Sequence, residues 1–173
     1  SQLDSTYYQG GTQDNGGRFL SNGLWQASNG GDAMEQATDI IDENVAFSTY
    51  VDGELFRTAD RWISNDDVTP DPTDMGSWIT PYVVHPTIQN VMVAGYSKVY
   101  KSTSNGLGWV PISNFLAGSN SNNMDCIAIA RSDEYTIYTS NGPKLYRTFN
   151  EGATWANVTV PDGNTITEIQ VHP

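Results

Sequence analysis

One eight-residue turn sequence occurs twice in this chain, 46 residues apart. The downstream copy is Thr148-Phe149-Asn150-Glu151-Gly152-Ala153-Thr154-Trp155, and the upstream copy is Ser102-Thr103-Ser104-Asn105-Gly106-Leu107-Gly108-Trp109. The flanks repeat too: Lys98-Val99-Tyr100-Lys101-Ser102 parallels Lys144-Leu145-Tyr146-Arg147-Thr148. A fixed period of this length with strand-like content marks a propeller or solenoid, in which a unit buries its apolar faces only against its neighbours. The repeat constrains architecture and not activity, because a hydroxyl, an amide and a glycine at a turn are folding devices.

Large apolar residues alternate with period two almost throughout, which argues strands. One aromatic per unit sets the register: Phe19, Phe56, Tyr100 and Tyr146, at spacings of 37, 44 and 46. Each is followed by a turn and a tryptophan, namely Trp25, Trp62, Trp109 and Trp155. The reading is an all-β β-propeller of four-stranded antiparallel blades, with about four blades represented, as part of a larger propeller. The units run approximately 1–28, 35–63, 79–113 and 124–160, with the next starting at 166–173. The inner strand of successive blades is expected at 38–42, 80–85, 125–130 and 167–172. Residues 32–41 have room for one helical turn at most, given Gly30-Gly31 and the β-branched residues that follow. The chain opens in the second strand of a blade and stops at Val171-His172-Pro173, the counterpart of Val84-His85-Pro86. A closed four-bladed ring, with 167–172 paired to 7–11, is the alternative to an arc of a larger ring. An arc would leave an unpaired inner strand and an incomplete first blade, so it should associate or melt without cooperativity.

Hydrophobic residues are 38% and charged residues 16%, with 16 Gly and 9 Tyr, a profile that suits strands joined by many turns. The net charge of -12 repels phosphate, which argues against nucleic acid and anionic membrane as partners. No apolar run approaches the ~20 residues of a membrane helix, and no signal peptide is visible. Cys126 is the single cysteine, so no internal disulfide forms, and its apolar run 124–129 places it as a small core residue. His85 and His172 both stand in Val-His-Pro and so share one structural position, which leaves no histidine for a Ser-His-Asp triad or a zinc site.

In this register the connections from second to third strand, and from outer strand to the next blade, share one rim. That rim collects Asp14 and Asn15, then Asp32, then Asp52, and then the longest loop, 64–78, with Asp66, Asp67, Asp71, Asp74 and Trp78. The repeated turns lie on the other rim. Asp14, Asn15, Asp32, Asp52, Asp74 and Trp78 are the candidate ligand-binding residues: carboxylates accept hydrogen bonds from hydroxyls, and an indole stacks on a sugar ring. A hydrolase would need two such carboxylates about 5–9.5 Å apart. Each aspartate also has a plain role, since Asp-Gly and Asp-Pro are good turn formers. Asp66, Asp67, Asp71 and Asp74 could ligate calcium through oxygen, but the spacing is not that of an EF-hand. No other cofactor or metal is implied.

The repeated turn resembles an Asp-box, S-x-D-x-G-x-T-W, which marks the outer hairpin of sialidase-like propeller blades. Its structural residues here are Ser102, Asn105, Gly106 and Trp109, then Thr148, Asn150, Gly152 and Trp155, with Asp60 in a shortened copy at 58–62. Ser104 and Asn150 stand where the aspartate would be. Together with Tyr7-Tyr8-Gln9-Gly10-Gly11-Thr12-Gln13-Asp14-Asn15-Gly16 and Gly30-Gly31-Asp32, nearly the whole chain resembles the secreted Asp-box (BNR-like) propellers of Bacteroidetes, often exported by the type IX route. Those are similar to sortilin ectodomains and to two-propeller xyloglucan hydrolases. The resemblance implies a secreted or cell-surface protein that binds a glycan or protein ligand, as an adhesion module without catalysis in this segment. Its alternatives are a glycoside hydrolase of xyloglucanase type using rim carboxylates, and a structural spacer in a long surface protein. The xyloglucanase Thr-Asp-Val-Gly-Gly run is missing. The arginine cluster that a sialidase needs is not supplied by this chain, since only Arg61 and Arg131 stand outside the repeat pattern.

Overall fold

The computed structural model describes residues 4–114, 123–159, 161 and 163–172. Pro173, residue 160 and residues 1–3 of the expected units lie outside them. Fifteen strands form four antiparallel sheets and no α-helix occurs among the described residues. The first sheet is β1 (Tyr8–Thr12), β2 (Gly16–Ser21) and β3 (Leu24–Ala27). The second is β4 (Gln36–Thr38), β5 (Ala46–Thr49), β6 (Leu55–Thr58) and β7 (Asp66–Asp67). The third is β8 (Tyr82–Val84), β9 (Met92–Gly95), β10 (Val99–Ser102) and β11 (Val110–Pro111). The fourth is β12 (Cys126–Ile129), β13 (Ile137–Asn141), β14 (Lys144–Thr148) and β15 (Ala156–Asn157). Strands follow chain order in every sheet, so each blade is a meander. The fold is a β-propeller arc.

The blades are held by apolar layers between sheets. Phe47 and Leu55 point from the second blade to Met92, Tyr82, Val84 and Trp109 of the third. Val93 and Val99 of the third meet Ile127, Ile129, Ile137 and Trp155 of the fourth. Tyr7 and Phe19 meet Ala46, Phe56 and Trp62. Each fully buried side chain of this size contributes roughly 1.5–3 kcal/mol. Middle strands therefore bury both faces, and every residue of β5 and β9 is buried. Outer strands β7, β11 and β15 are two residues long and fully exposed, which blunts them against edge pairing.

The repeated turn has a common physical basis. Thr58, Ser102 and Thr148 each accept two backbone N–H bonds, from the residues two and four positions later. The backbone then needs two consecutive left-handed residues: Asn105-Gly106 (φ 53°, 82°) and Glu151-Gly152 (φ 53°, 92°). The second blade places Arg61-Trp62 there instead (φ 56°, 66°). Left-handed backbone costs such residues about 1–3 kcal/mol each. The cost is offset by Arg61, which pairs with Glu43 at 2.6 Å and Asp4 at 3.4 Å, and by Trp62, which is buried and donates its indole N–H to Gln9 at 3.2 Å.

Six expectations need correction. The inner strand of the second blade is Gln36–Thr38, not 38–42, because Asp39 turns the chain by accepting the N–H groups of Ile41 and Asp42. Residues 167–172 carry no strand and β1 pairs with β2, so the closed ring is not formed. The register aromatic of the first blade is displaced by one: Gly17 and Ser28 share a backbone bond as Leu55 and Val68 do, which aligns Arg18, not Phe19, with Phe56. The same register makes Trp25, Trp109 and Trp155 equivalent and sets Asn65 in their place in the second blade, while Trp62 belongs to the turn. Cys126 is half-buried and not a core residue, its thiol donating to the Ile166 carbonyl at 3.6 Å. His172 is likewise exposed where His85 is buried.

Candidate functional site

Turns between second and third strands meet the blade-to-blade loops along one rim. The first turn leaves β1 at Asp14 (φ 67°), whose N–H donates to the Asp32 carboxylate at 2.6 Å. Gly16 N–H donates to the Gly31 carbonyl at 2.7 Å, fixing the Gly30-Gly31-Asp32 loop against that turn. Gly31 is glycine for a steric reason as well: its φ is 67°, and an added Cβ would lie 2.5 Å from the Tyr50 ring. Asn15 reaches only its own turn, donating to the Gln13 carbonyl at 3.3 Å.

The second turn is the short 3-10 segment Val51–Gly53, with Asp52 left-handed at φ 59°. Its carbonyls hold the long loop: Asp52 O accepts from Gly76 N–H at 2.7 Å, and Gly53 O accepts from the buried Tyr96 hydroxyl. Asp74 is an internal brace. Its carboxylate accepts from the Ser97 hydroxyl at 2.8 Å and the Tyr100 hydroxyl at 2.9 Å, and from Ser97 N–H at 3.3 Å. Burial and the Asp74 carboxylate push the Tyr100 phenol well above its ordinary range. The Thr73 hydroxyl and N–H, with Lys98 nearby, hold the Asp71 carboxyl below its usual range. Trp78 is half exposed on the same loop. Asp66 and Asp67 sit in strand β7 and not in the loop, although Asp67 reaches the rim. Among the described residues no group of three or more His, Cys, Asp or Glu side chains is placed to hold a metal ion.

The candidates fall into two places and not one. Asp14 and Asp32 are bonded at the first blade. Asp52 and Asp74 line a cleft of about 310 Å³ with Glu54, Asp67 and Asp71. A smaller cleft of about 250 Å³, lined by Asn29, Gly30, Gly31, Tyr50, Glu54 and Phe56, lies between the two places. Glu54 lines both clefts, which therefore lie side by side along the rim. Within the described residues the Asp14 and Asp52 carboxylates accept no hydrogen bond, whereas those of Asp32 and Asp74 do. Tyr50 and Glu54 were not singled out in the sequence. Their signal was positional: both flank the turn that carries Asp52.

The fold is similar to that of two GH74 enzymes. An ancestral GH74 enzyme superposes with a TM-score of 0.76 over 94% of this chain at 15% identity, and the chain spans 23% of that protein. A GH74 enzyme of Niastella koreensis gives 0.72 over 94% at 17% identity, and the chain spans 29% of it. A chain of a mitotic checkpoint complex gives 0.68 over 95% at 11% identity, and this chain spans 52% of it. No protein-family model matches the chain, and no curated protein matches it. No helix among the described residues is long and apolar enough to cross a membrane.

Proposed function

We propose that this chain is part of a carbohydrate-active propeller, secreted or displayed at a cell surface, whose rim clefts hold a polysaccharide that the full-length protein cleaves. The observation that carries the reading is the pair of neighbouring clefts that share Glu54, one lined by Gly31 and Tyr50 and the other by Asp52, whose carboxylate is uncommitted. Two neighbouring clefts fit a run of sugar units. Uncommitted carboxylates accept sugar hydroxyls, and a tyrosine ring offers a stacking face. The likeness in fold to two GH74 enzymes supports hydrolysis over adhesion. The turn chemistry fits the Asp-box propellers of Bacteroidetes, and a glycan is the ligand class that these clefts suit.

Binding without cleavage is the second reading. It is favoured by Asp32 and Asp74, two rim carboxylates already engaged as internal braces. A screen of polysaccharides with the full-length protein separates the readings. Reducing-end release that disappears in Asp52→Asn or Glu54→Gln, with retention on the polymer intact, supports hydrolysis through this rim. Retention without release assigns adhesion. Release that survives both substitutions and also Asp14→Asn and Asp32→Asn places the chemistry elsewhere, and neither retention nor release leaves a structural spacer.

A further inference from the structure

The two rim clefts differ in what they offer a ligand. The larger one carries the carboxylates of Asp52, Glu54, Asp67, Asp71 and Asp74, which accept hydrogen bonds and donate none when ionised. Its side-chain hydroxyl, that of Thr69, donates to Asp67 at 2.6 Å. The smaller cleft brings together the Asn29 amide, the Gly30-Gly31 backbone, the Glu54 carboxylate and the rings of Tyr50 and Phe56. Donor, acceptor and apolar surface therefore meet in the smaller cleft.

The Asn29 amide is held in one orientation. Its Oδ1 accepts from the Ser28 and Ser48 hydroxyls, each at 3.0 Å. The Ser48 hydroxyl itself accepts from the Gln36 amide, so its own proton is directed at Asn29. Gly17 makes room for this arrangement: an added Cβ there would lie 2.2 Å from Asn29 Oδ1. Gly17 N–H also donates to the Asn29 carbonyl at 2.9 Å. Asn29 Nδ2 is left buried with no acceptor among the described residues. A buried donor without an acceptor is costly, and a fold that keeps one calls for a partner. The N–H groups of Gly30 and Gly31 beside it have no acceptor among the described residues either. Tyr50 and Glu54 close the same turn, with Tyr50 N–H donating to the Glu54 carbonyl at 2.8 Å. The Glu54 carboxylate is exposed, and no described residue donates to it.

We propose, resting on the reading that the rim holds a polysaccharide, that the smaller cleft recognises an acetamido group and that the polymer contains N-acetylated amino sugars. An acetamido group carries a carbonyl oxygen, an N–H and a methyl on one planar unit. The carbonyl accepts from Asn29 Nδ2, the N–H donates to Glu54, and the methyl lies against Tyr50 and Phe56. A bare hydroxyl in that place leaves the two rings uncovered. An ammonium there suits Glu54 and leaves Asn29 without an acceptor. The Asp52 carboxylate in the neighbouring cleft takes hydroxyls of the adjoining sugar unit. A site whose buried polar group is satisfied by one substituent discriminates against analogues that lack it.

Binding of three oligomers of equal length and linkage to the full-length protein tests this: one of N-acetylglucosamine, one of glucose and one of glucosamine. The acetylated oligomer should bind about tenfold tighter than either of the others, or better. Asn29→Asp keeps the two serine bonds and at neutral pH replaces the donor by an acceptor, so the preference should vanish. Tyr50→Ala should abolish it too, whereas Tyr50→Phe keeps the ring and should retain it, with far-UV spectra unchanged in all three variants. If the glucose or glucosamine oligomer binds as tightly as the acetylated one, the acetamido assignment is overturned and the polysaccharide reading stands. A preference that survives both Asn29→Asp and Tyr50→Ala overturns this cleft as its seat. Binding of none of the three overturns the assignment as well, and the wider reading then stands or falls on the polysaccharide screen.

Discussion

Thr148→Val is the sharpest probe of how the blades are built. Thr148 is 1% exposed, and its hydroxyl accepts N–H bonds from Gly152 at 2.9 Å and Asn150 at 3.2 Å while donating to Asn150 Oδ1 at 2.9 Å. Valine keeps the β-branched shape and the packing and removes only the oxygen. The Gly152 N–H is then left inside the turn with no acceptor, and Asn150 loses its tie. A lost hydrogen bond costs about 0.5–1.5 kcal/mol, and a buried donor left without a partner about 1–3 kcal/mol. The expected loss is thus about 2–4 kcal/mol, or roughly 5–15 °C in Tm for a chain of this length. Urea unfolding followed by tryptophan fluorescence reads it as a lower midpoint at unchanged slope. Thr103→Val, at an exposed position of the preceding turn, should stay within ~0.5 kcal/mol, as surface changes do. If Thr148→Val also stays within ~0.5 kcal/mol, the hydroxyl does not organise the turn.

Two pH limbs follow from the same contacts. Hydrogen bonds from the Ser64 hydroxyl and N–H, with the Thr58 hydroxyl, hold the Asp60 carboxyl below its ordinary value of 3.8. The unfolded chain binds that proton more readily. The contribution is therefore present above pH ~4 and lost as pH falls through the folded value, and Asp60→Asn should flatten the acid limb of a stability titration; an unaltered slope sinks the argument. At the other end, burial pushes the Tyr96 phenol far above its ordinary value of 10.0. Its neutral form stabilises the fold below about pH 10, and this is lost as pH rises. Tyrosinate absorbance should show Tyr96 ionising only with unfolding, whereas titration of all 9 tyrosines in a chain that keeps its far-UV spectrum would contradict this.

The architecture was legible because period and turn chemistry are local signals. Hydroxyl, glycine and tryptophan at fixed offsets give the third and fourth blades directly. The second blade was misread where it solves the same turn differently. Arg61 and Trp62 take the left-handed positions without glycine, and their support comes from Glu43, Asp4 and Gln9, remote in sequence. A motif cannot report a strain that is relieved from another blade. The first blade was misread by one residue because Gly16 and Gly17, packed against the Asn29 carbonyl and the Ser28 and Asn29 side chains, shift the third strand relative to its aromatic. Strand 167–172 was legible as a sequence and is missing as a strand, since a strand exists only when a neighbour supplies its hydrogen bonds.

The rim shows why acidic loops reveal less than their composition promises. Sequence treats Asp14, Asp32, Asp52 and Asp74 alike, as carboxylates on loops of one rim. The fold divides them by what each oxygen meets. Asp32 and Asp74 accept protein donors and hold loops together, so their charge serves the scaffold. Asp14 and Asp52 take the left-handed turn positions (φ 67° and 59°), where a short polar side chain is tolerated. Their side chains are thereby left without protein donors. A binding group needs both properties at once: a rigid backbone and an unspent acceptor. Asp52 has both, because its own carbonyl anchors Gly76 while its carboxylate lines the cleft. Glu54 stands two residues on and lines both clefts. On the proposed reading, the binding groups of this rim therefore lie on the turn between β5 and β6, and not on the aspartate-rich loop that first draws the eye.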